Sequence, residues 1–155
     1  QNLEDGQIKV LISSLPNNIA EREITAAKKY LNWPDAQAQI KQVTANGSGN
    51  SFQISLPSKN HSSVFEVIGE LRISSEQVAK RCAGRVKKFI QANAAVEEHL
   101  ADQLLLPMAL AGGGCFTTTK PSLHTQTNIK VIQQFVNIEI QVNQIDELLW
   151  EITLR

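Results

Sequence analysis

The stretch Gln7-Ile8-Lys9-Val10-Leu11-Ile12-Ser13-Ser14-Leu15-Pro16-Asn17-Asn18-Ile19-Ala20 decides how the first half of the chain is read. Ile8, Val10 and Ile12 alternate with Lys9 and Leu11, the two-residue period of a strand over 7–15. Pro16-Asn17-Asn18 then turns the chain. Asn18, followed three residues later by Glu21, has the look of a capping box, and it predicts a helix to about Leu31. Ile24, Ala27 and Leu31 give that helix an apolar stripe, and Trp33-Pro34 closes it.

The same reading extends outward. A second strand is expected over 37–43, a flexible turn at Asn46-Gly47-Ser48-Gly49-Asn50, and further strands over 51–56 and 63–71. Ser75 caps a long helix to about Gln91. Its inner stripe is Val78, Cys82, Val86, Phe89 and Ile90, and its outer face carries Lys80, Arg81, Arg85, Lys87 and Lys88. The first part therefore reads β-α-β-β-β-α. Asn93-Ala94-Ala95 marks a boundary, dividing the chain into 1–94 and 95–155. Beyond it the pattern predicts a helix over 96–111, a Gly-rich turn, a strand over 115–119 and a helix over 125–135. Two closing strands follow at 138–143 and 148–154. The fold class is α+β.

Composition bounds the function. With 155 residues, 42% hydrophobic and 19% charged, the chain can bury a core and is not disordered throughout. Net charge is zero, so any contact with nucleic acid needs a local patch. Cys82 and Cys115 make no C-x-x-C pair and no metal spacing, which reads as reduced cytosolic thiols and a cytoplasmic protein. No apolar run is long enough to span a membrane and no signal peptide is visible. The chain starts at Gln1 and enters a strand pattern almost at once, which reads as a piece of a larger protein or a processed chain.

Two segments point to chemistry. In the helix after Val96, Leu100, Leu104, Leu105, Met108 and Ala111 form a buried face, and Pro107 is expected to kink the helix. His99, Asp102 and Gln103 fall at i, i+3 and i+4 on the remaining face. A ring, a carboxylate and an amide together suit a purine with donor and acceptor edges; the plainer reading is a solvated polar face. Downstream, Ser122-Leu123-His124-Thr125-Gln126-Thr127-Asn128 sets a histidine where a turn enters a helix. Ser122, Thr125 or Asn128 could bond one ring nitrogen and leave the other as a nucleophile. The helix amides nearby favour a phosphate. The plainer reading is a histidine that caps or packs.

The remaining candidates are weaker. Gly112-Gly113-Gly114 matches neither dinucleotide nor Walker patterns and reads as a helix C-cap with a turn. His61 lies in a Ser/Asn-rich turn and reads as a surface residue. The three histidines are scattered, which argues against a zinc site. The Lys80 to Lys88 face could touch RNA phosphates, although such rows are commonly solvated.

At these residues the chain resembles a family. His99-Leu100-Ala101-Asp102-Gln103, Leu106-Pro107-Met108-Ala109-Leu110-Ala111-Gly112-Gly113-Gly114 and Leu123-His124-Thr125-Gln126-Thr127-Asn128-Ile129 closely resemble the C-terminal part of RNA 3′-terminal phosphate cyclases. Ala20-Glu21-Arg22-Glu23-Ile24 and Gly47-Ser48-Gly49-Asn50 resemble that family's insert domain. The resemblance implies a small insert domain over 1–94. It also implies, over 95–155, part of a βαβαββ repeat like the C-terminal domain of translation initiation factor three. It implies conversion of an RNA 3′-phosphate to a 2′,3′-cyclic phosphate with ATP and a divalent metal such as magnesium. His124 would be the nucleophile that carries AMP, and His99, Leu100, Ala101, Asp102 and Gln103 would bind ATP. The partners implied are RNA with a 3′-phosphate end and an amino-terminal part of the same protein; no membrane is expected, and the piece alone is expected to turn over little. Two other readings stand beside this one. They are a cyclase-like module of ribosome assembly without the chemistry, and a generic RNA-binding domain using Lys80 to Lys88.

Overall fold

The computed structural model describes residues 6–58 and 61–155. The chain divides into two compact units, residues 1–87 and 88–155. The division falls within a helix, while the sequence boundary at 94/95 falls just beyond that helix. Each unit has its own sheet.

In the first unit the order is β1 (Gln7–Ser13), α1 (Asn17–Leu31), β2 (Gln37–Gln42), β3 (Gly49–Pro57), β4 (Ser62–Ile68) and α2 (Ser75–Ala92). The sheet runs β2-β1-β3-β4. β1 pairs parallel with β2 across the α1 crossover and antiparallel with β3, which pairs antiparallel with β4. The alternation in the opening stretch explains the burial: Ile8, Val10 and Ile12 are buried, opposite Ile54, Phe52 and Asn50. Phe52, Ile54, Leu56 and Phe65 complete that face, and α2 adds Val78, Ala79, Cys82 and Val86. The other face is polar, with Ser51 and Gln53 both donating to Glu66. One buried and one solvated face is the usual arrangement of a largely antiparallel sheet.

Both sequence-assigned caps move. Asn18 forms no capping box; Pro16 stands at the N-cap of α1 without a side-chain bond, and Asn17 Oδ1 instead accepts from Gln42 Nε2. Before α2 the box belongs to Ser74 and Gln77: Gln77 N–H donates to Ser74 Oγ, and Ser74 N–H donates to Gln77 Oε1. The stripe of α1 is also rotated from the predicted one. Ala20, Glu23 and Ala27 are buried, while Ile24 and Leu31 are only partly so. A carboxylate therefore sits where the pattern placed only apolar groups. Glu23 is 1% exposed; its Oε1 accepts from Asn50 Nδ2 at 2.6 Å, and its Oε2 has no partner among the described residues. Desolvation, offset only in part by the Asn50 bond, pushes its carboxyl up to about 7.

In the second unit the order is α3 (Glu98–Leu110), β5 (Gly114–Thr118), α4 (Leu123–Phe135), β6 (Ile140–Gln144) and β7 (Trp150–Leu154). These are five elements in the α-β-α-β-β order that closes a βαβαββ repeat. The sheet β5-β7-β6 is antiparallel. Its core joins Leu105 and Ala109 of α3, Phe116 of β5, Ile129 and Ile132 of α4, and Ile152 and Leu154 of β7. Val96 does not start α3 as the pattern predicts. It forms a parallel bridge with Thr118, and the helix begins two residues later.

Candidate functional site

α3 is started by its own acid. Glu97 is nearly fully buried, and its carboxylate accepts from Leu100 N–H at 2.6 Å and His99 N–H at 2.9 Å. These are N–H groups that the first helical turn leaves unpaired. With the start fixed, the five candidate residues divide by helical period. Ala101 lies in the core and Leu100 packs against it, while His99 and Gln103 are exposed and Asp102 is partly buried. Of these five, the polar side chains His99, Asp102 and Gln103 thus lie on the outward side of α3. His99 Nε2 lies 3.6 Å from Glu98 Oε1.

α4 is started by Ser122. Its Oγ accepts from Thr125 N–H at 3.1 Å and lies 3.0 Å from Thr125 Oγ1, and Thr125 is fully buried. Gln126 Nε2 donates back to the Pro121 carbonyl. His124 is therefore the second residue of a rigid, capped helix, and it is exposed. The hydrogen bonds expected for its ring are not made. Ser122 and Thr125 are engaged with each other, and Asn128 points to α3. A capping hydroxyl is taken by the backbone N–H three residues on, so it does not reach the ring. Among the described residues no side chain hydrogen-bonds either ring nitrogen, which leaves both available to a ligand.

The two segments meet at Asn128. It lies one turn beyond His124 on the same face of α4. Its Nδ2 donates to Asp102 Oδ1 at 3.2 Å and to the Asp102 carbonyl at 3.3 Å. Residues 26 apart in sequence are thereby joined, and the face of α3 that carries Asp102 lies beside the face of α4 that carries His124. The site thus offers an exposed imidazole at a helix N-terminus and, one turn further along the same helix, an amide bonded to the Asp102 carboxylate. The helix dipole favours the phosphate oxygens at that place.

Comparison with known proteins gives the chain relatives. The family model for RNA 3′-terminal phosphate cyclase matches residues 6–142. The chain belongs to the RNA 3′-terminal phosphate cyclase family. It is similar to the RNA 3′-terminal phosphate cyclase of Ectopseudomonas mendocina, with 38% identity over 96% of this chain and 44% of the relative. It is 36% identical to that of Koribacter versatilis over 86% of this chain and 38% of the relative. With that of Pseudomonas aeruginosa the identity is 35%, over 90% and 41%. The chain thus spans about two fifths of the length of these cyclases.

The other candidates fall into place structurally. Gly112, Gly113 and Gly114 have φ of 92°, 127° and 148°. Gly113 N–H donates to the Met108 carbonyl and ends α3, and a Cβ at Gly113 would stand 2.7 Å from the Leu154 carbonyl oxygen. The triplet is a helix stop pressed against β7, as its plainer reading held. Pro107 lies inside α3. Cys82 and Cys115 are both free; burial pushes the Cys82 thiol up to about 12, and it lies against the Phe65 carbonyl. His61 is exposed, and its carbonyl accepts from Ser58; residues 59 and 60 of its turn lie outside the described residues. Among the described residues no group of three or more His, Cys, Asp or Glu could hold a metal ion. No helix of the described residues is long and apolar enough to cross a membrane.

Sequence reasoning missed Glu97 as the cap of α3 and the Asp102–Asn128 link. The first carried no clear signal, because an acid before a helix is common. The second could not be seen, since it depends on how two helices pack.

Proposed function

We propose that the protein to which this chain belongs converts an RNA 3′-phosphate into a 2′,3′-cyclic phosphate at the expense of ATP. The observation that carries the reading is the Asp102–Asn128 link, which sets the His124 face of α4 beside the polar face of α3. An imidazole nitrogen of His124 attacks the α-phosphorus of ATP; an N–P bond forms and pyrophosphate leaves. AMP then passes to the RNA 3′-phosphate, breaking the N–P bond and restoring the imidazole. The adjacent 2′-hydroxyl attacks the activated phosphorus, loses its proton and expels AMP. His99, Asp102 and Gln103 meet the adenosine: the ring of His99 stacks, Asp102 accepts and Gln103 both donates and accepts. Leu100 and Ala101 hold that face in place from the core side. The protein acts in the cytoplasm, together with the amino-terminal part of its chain.

The test is covalent labelling of the full-length protein with α-labelled ATP and magnesium. Wild type takes up acid-labile label and His124→Ala takes up none. Equal labelling of the two refutes His124 as nucleophile.

A further inference from the structure

The cyclase reading leaves the basic face of α2 unused, and the structure gives that face a centre. Tyr30, near the end of α1, is 38% exposed. Its hydroxyl lies 3.9 Å from where a Cβ at Gly84 would stand, so the ring end overlies a place on α2 that carries no side chain. Lys80 and Lys87 stand about one turn to either side of Gly84 on the same face. Their Nζ atoms lie 5.9 Å and 5.7 Å from the centre of the Tyr30 ring. Two ammonium groups brought to one ring repel each other, and the ring's negative face compensates only part of that.

Among the described residues no carboxylate completes the compensation. Neither lysine makes an ion pair among the described residues, and Glu76, the only acid of α2, is held by Arg22 in a two-fold bond at 2.8 Å. Arg81 and Lys88 add exposed positive charge along the same helix. In a chain of zero net charge this is a concentration of one sign, not a general surface property. An exposed ring flanked by unpaired cations matches the two needs of a single-stranded nucleic acid, a flat base and the charged backbone on either side of it.

We infer that Tyr30, Lys80 and Lys87 form a binding site for single-stranded RNA, with Tyr30 stacking on a base and the two lysines contacting the neighbouring phosphates. The inference rests on RNA being the substrate of this family's chemistry, and it places a second hold on that RNA in the first unit. It does not use His124 or ATP. A site of this kind accepts any base, because stacking needs only a π face, and its affinity falls steeply with salt.

The experiment is fluorescence anisotropy of a labelled single-stranded 12-mer RNA titrated with the 155-residue chain over a salt series. Lys80→Ala/Lys87→Ala should weaken binding and reduce the salt slope by about 1.4, two phosphates at roughly 0.7 each for a single strand. Tyr30→Ala should weaken binding roughly five- to hundred-fold with the slope unchanged, and Tyr30→Phe should restore it. Lys41→Ala/Lys130→Ala, matched in charge, should change little. The site is refuted if the chain binds no RNA or if the two lysine pairs behave alike. It is refuted equally if Tyr30→Phe, which keeps the ring and packing, binds no better than Tyr30→Ala. Labelling of the full-length Lys80→Ala/Lys87→Ala protein by ATP alone reads the cyclase chemistry separately. If the wild-type 155-residue chain binds no RNA while the full-length wild type is still labelled, this site alone is refuted and the cyclase reading stands.

Discussion

Glu23→Gln isolates the least expected group in the fold. Glu23 is 1% exposed on the inner face of α1, with one oxygen bonded to Asn50 and the other unpaired among the described residues. Its carboxyl is raised by desolvation from 4.5 to about 7. The folded state therefore holds this proton more tightly than the unfolded chain does. The contribution of Glu23 to stability is fully present below pH 4.5, falls as pH rises through the window from 4.5 to about 7, and levels off above it. Linkage with these two values gives a loss of roughly 2–3 kcal/mol between pH 5 and pH 8. Gln keeps the acceptor for Asn50 but cannot ionise, so this loss should vanish in Glu23→Gln. Glu76, which Arg22 holds down at about 2, titrates below that window and does not confuse the measurement. The assay is urea unfolding at pH 5 and pH 8, followed by tryptophan fluorescence. Trp150→Phe in both proteins leaves Trp33 as reporter of the first unit. If the fall between the two pH values is the same in Glu23→Gln as in its parent, Glu23 is not the buried titrating group and the argument fails.

Two further changes test the scaffold of the candidate site. Ser122→Ala removes the cap of α4 and should cost about 1 kcal/mol in urea unfolding followed by Trp150, with AMP labelling at His124 falling in the full-length protein. No change in either would mean that Ser122 does not fix the start of α4. Gly113→Ala forces a side chain onto φ of 127° and against the Leu154 carbonyl, and should destabilise the second unit by more than about 1 kcal/mol. A neutral result would show that the turn relaxes freely.

Much of the element order was legible from the chain. The two-residue period at Ile8, Val10 and Ile12 and the helical stripe at Val78, Cys82 and Val86 are local patterns, and the strands and helices formed where they stood. Caps were less legible. Several nearby Asn, Ser and Thr side chains can compete for the same N–H groups, so Ser74 rather than Ser75 caps α2 and no side chain caps α1. The stripe of α1 was misread because Glu23 looks like a solvent residue in one dimension, and only the packing of α1 on the sheet and the reach of Asn50 turn it inward.

The sequence by itself determined the α+β class, the family, the polar set His99, Asp102 and Gln103 on one side of α3, and His124 at a helix start. Those follow from local periodicity and motif, which need no knowledge of distant contacts. Tertiary structure decided that Asn128 reaches Asp102, that His124 is free of its expected partners, that Glu23 is buried, and that Tyr30 meets Lys80 and Lys87. Each of these joins residues from different elements. Hydrogen bonding and burial depend on the distance between elements in space, and no spacing along the chain encodes that distance.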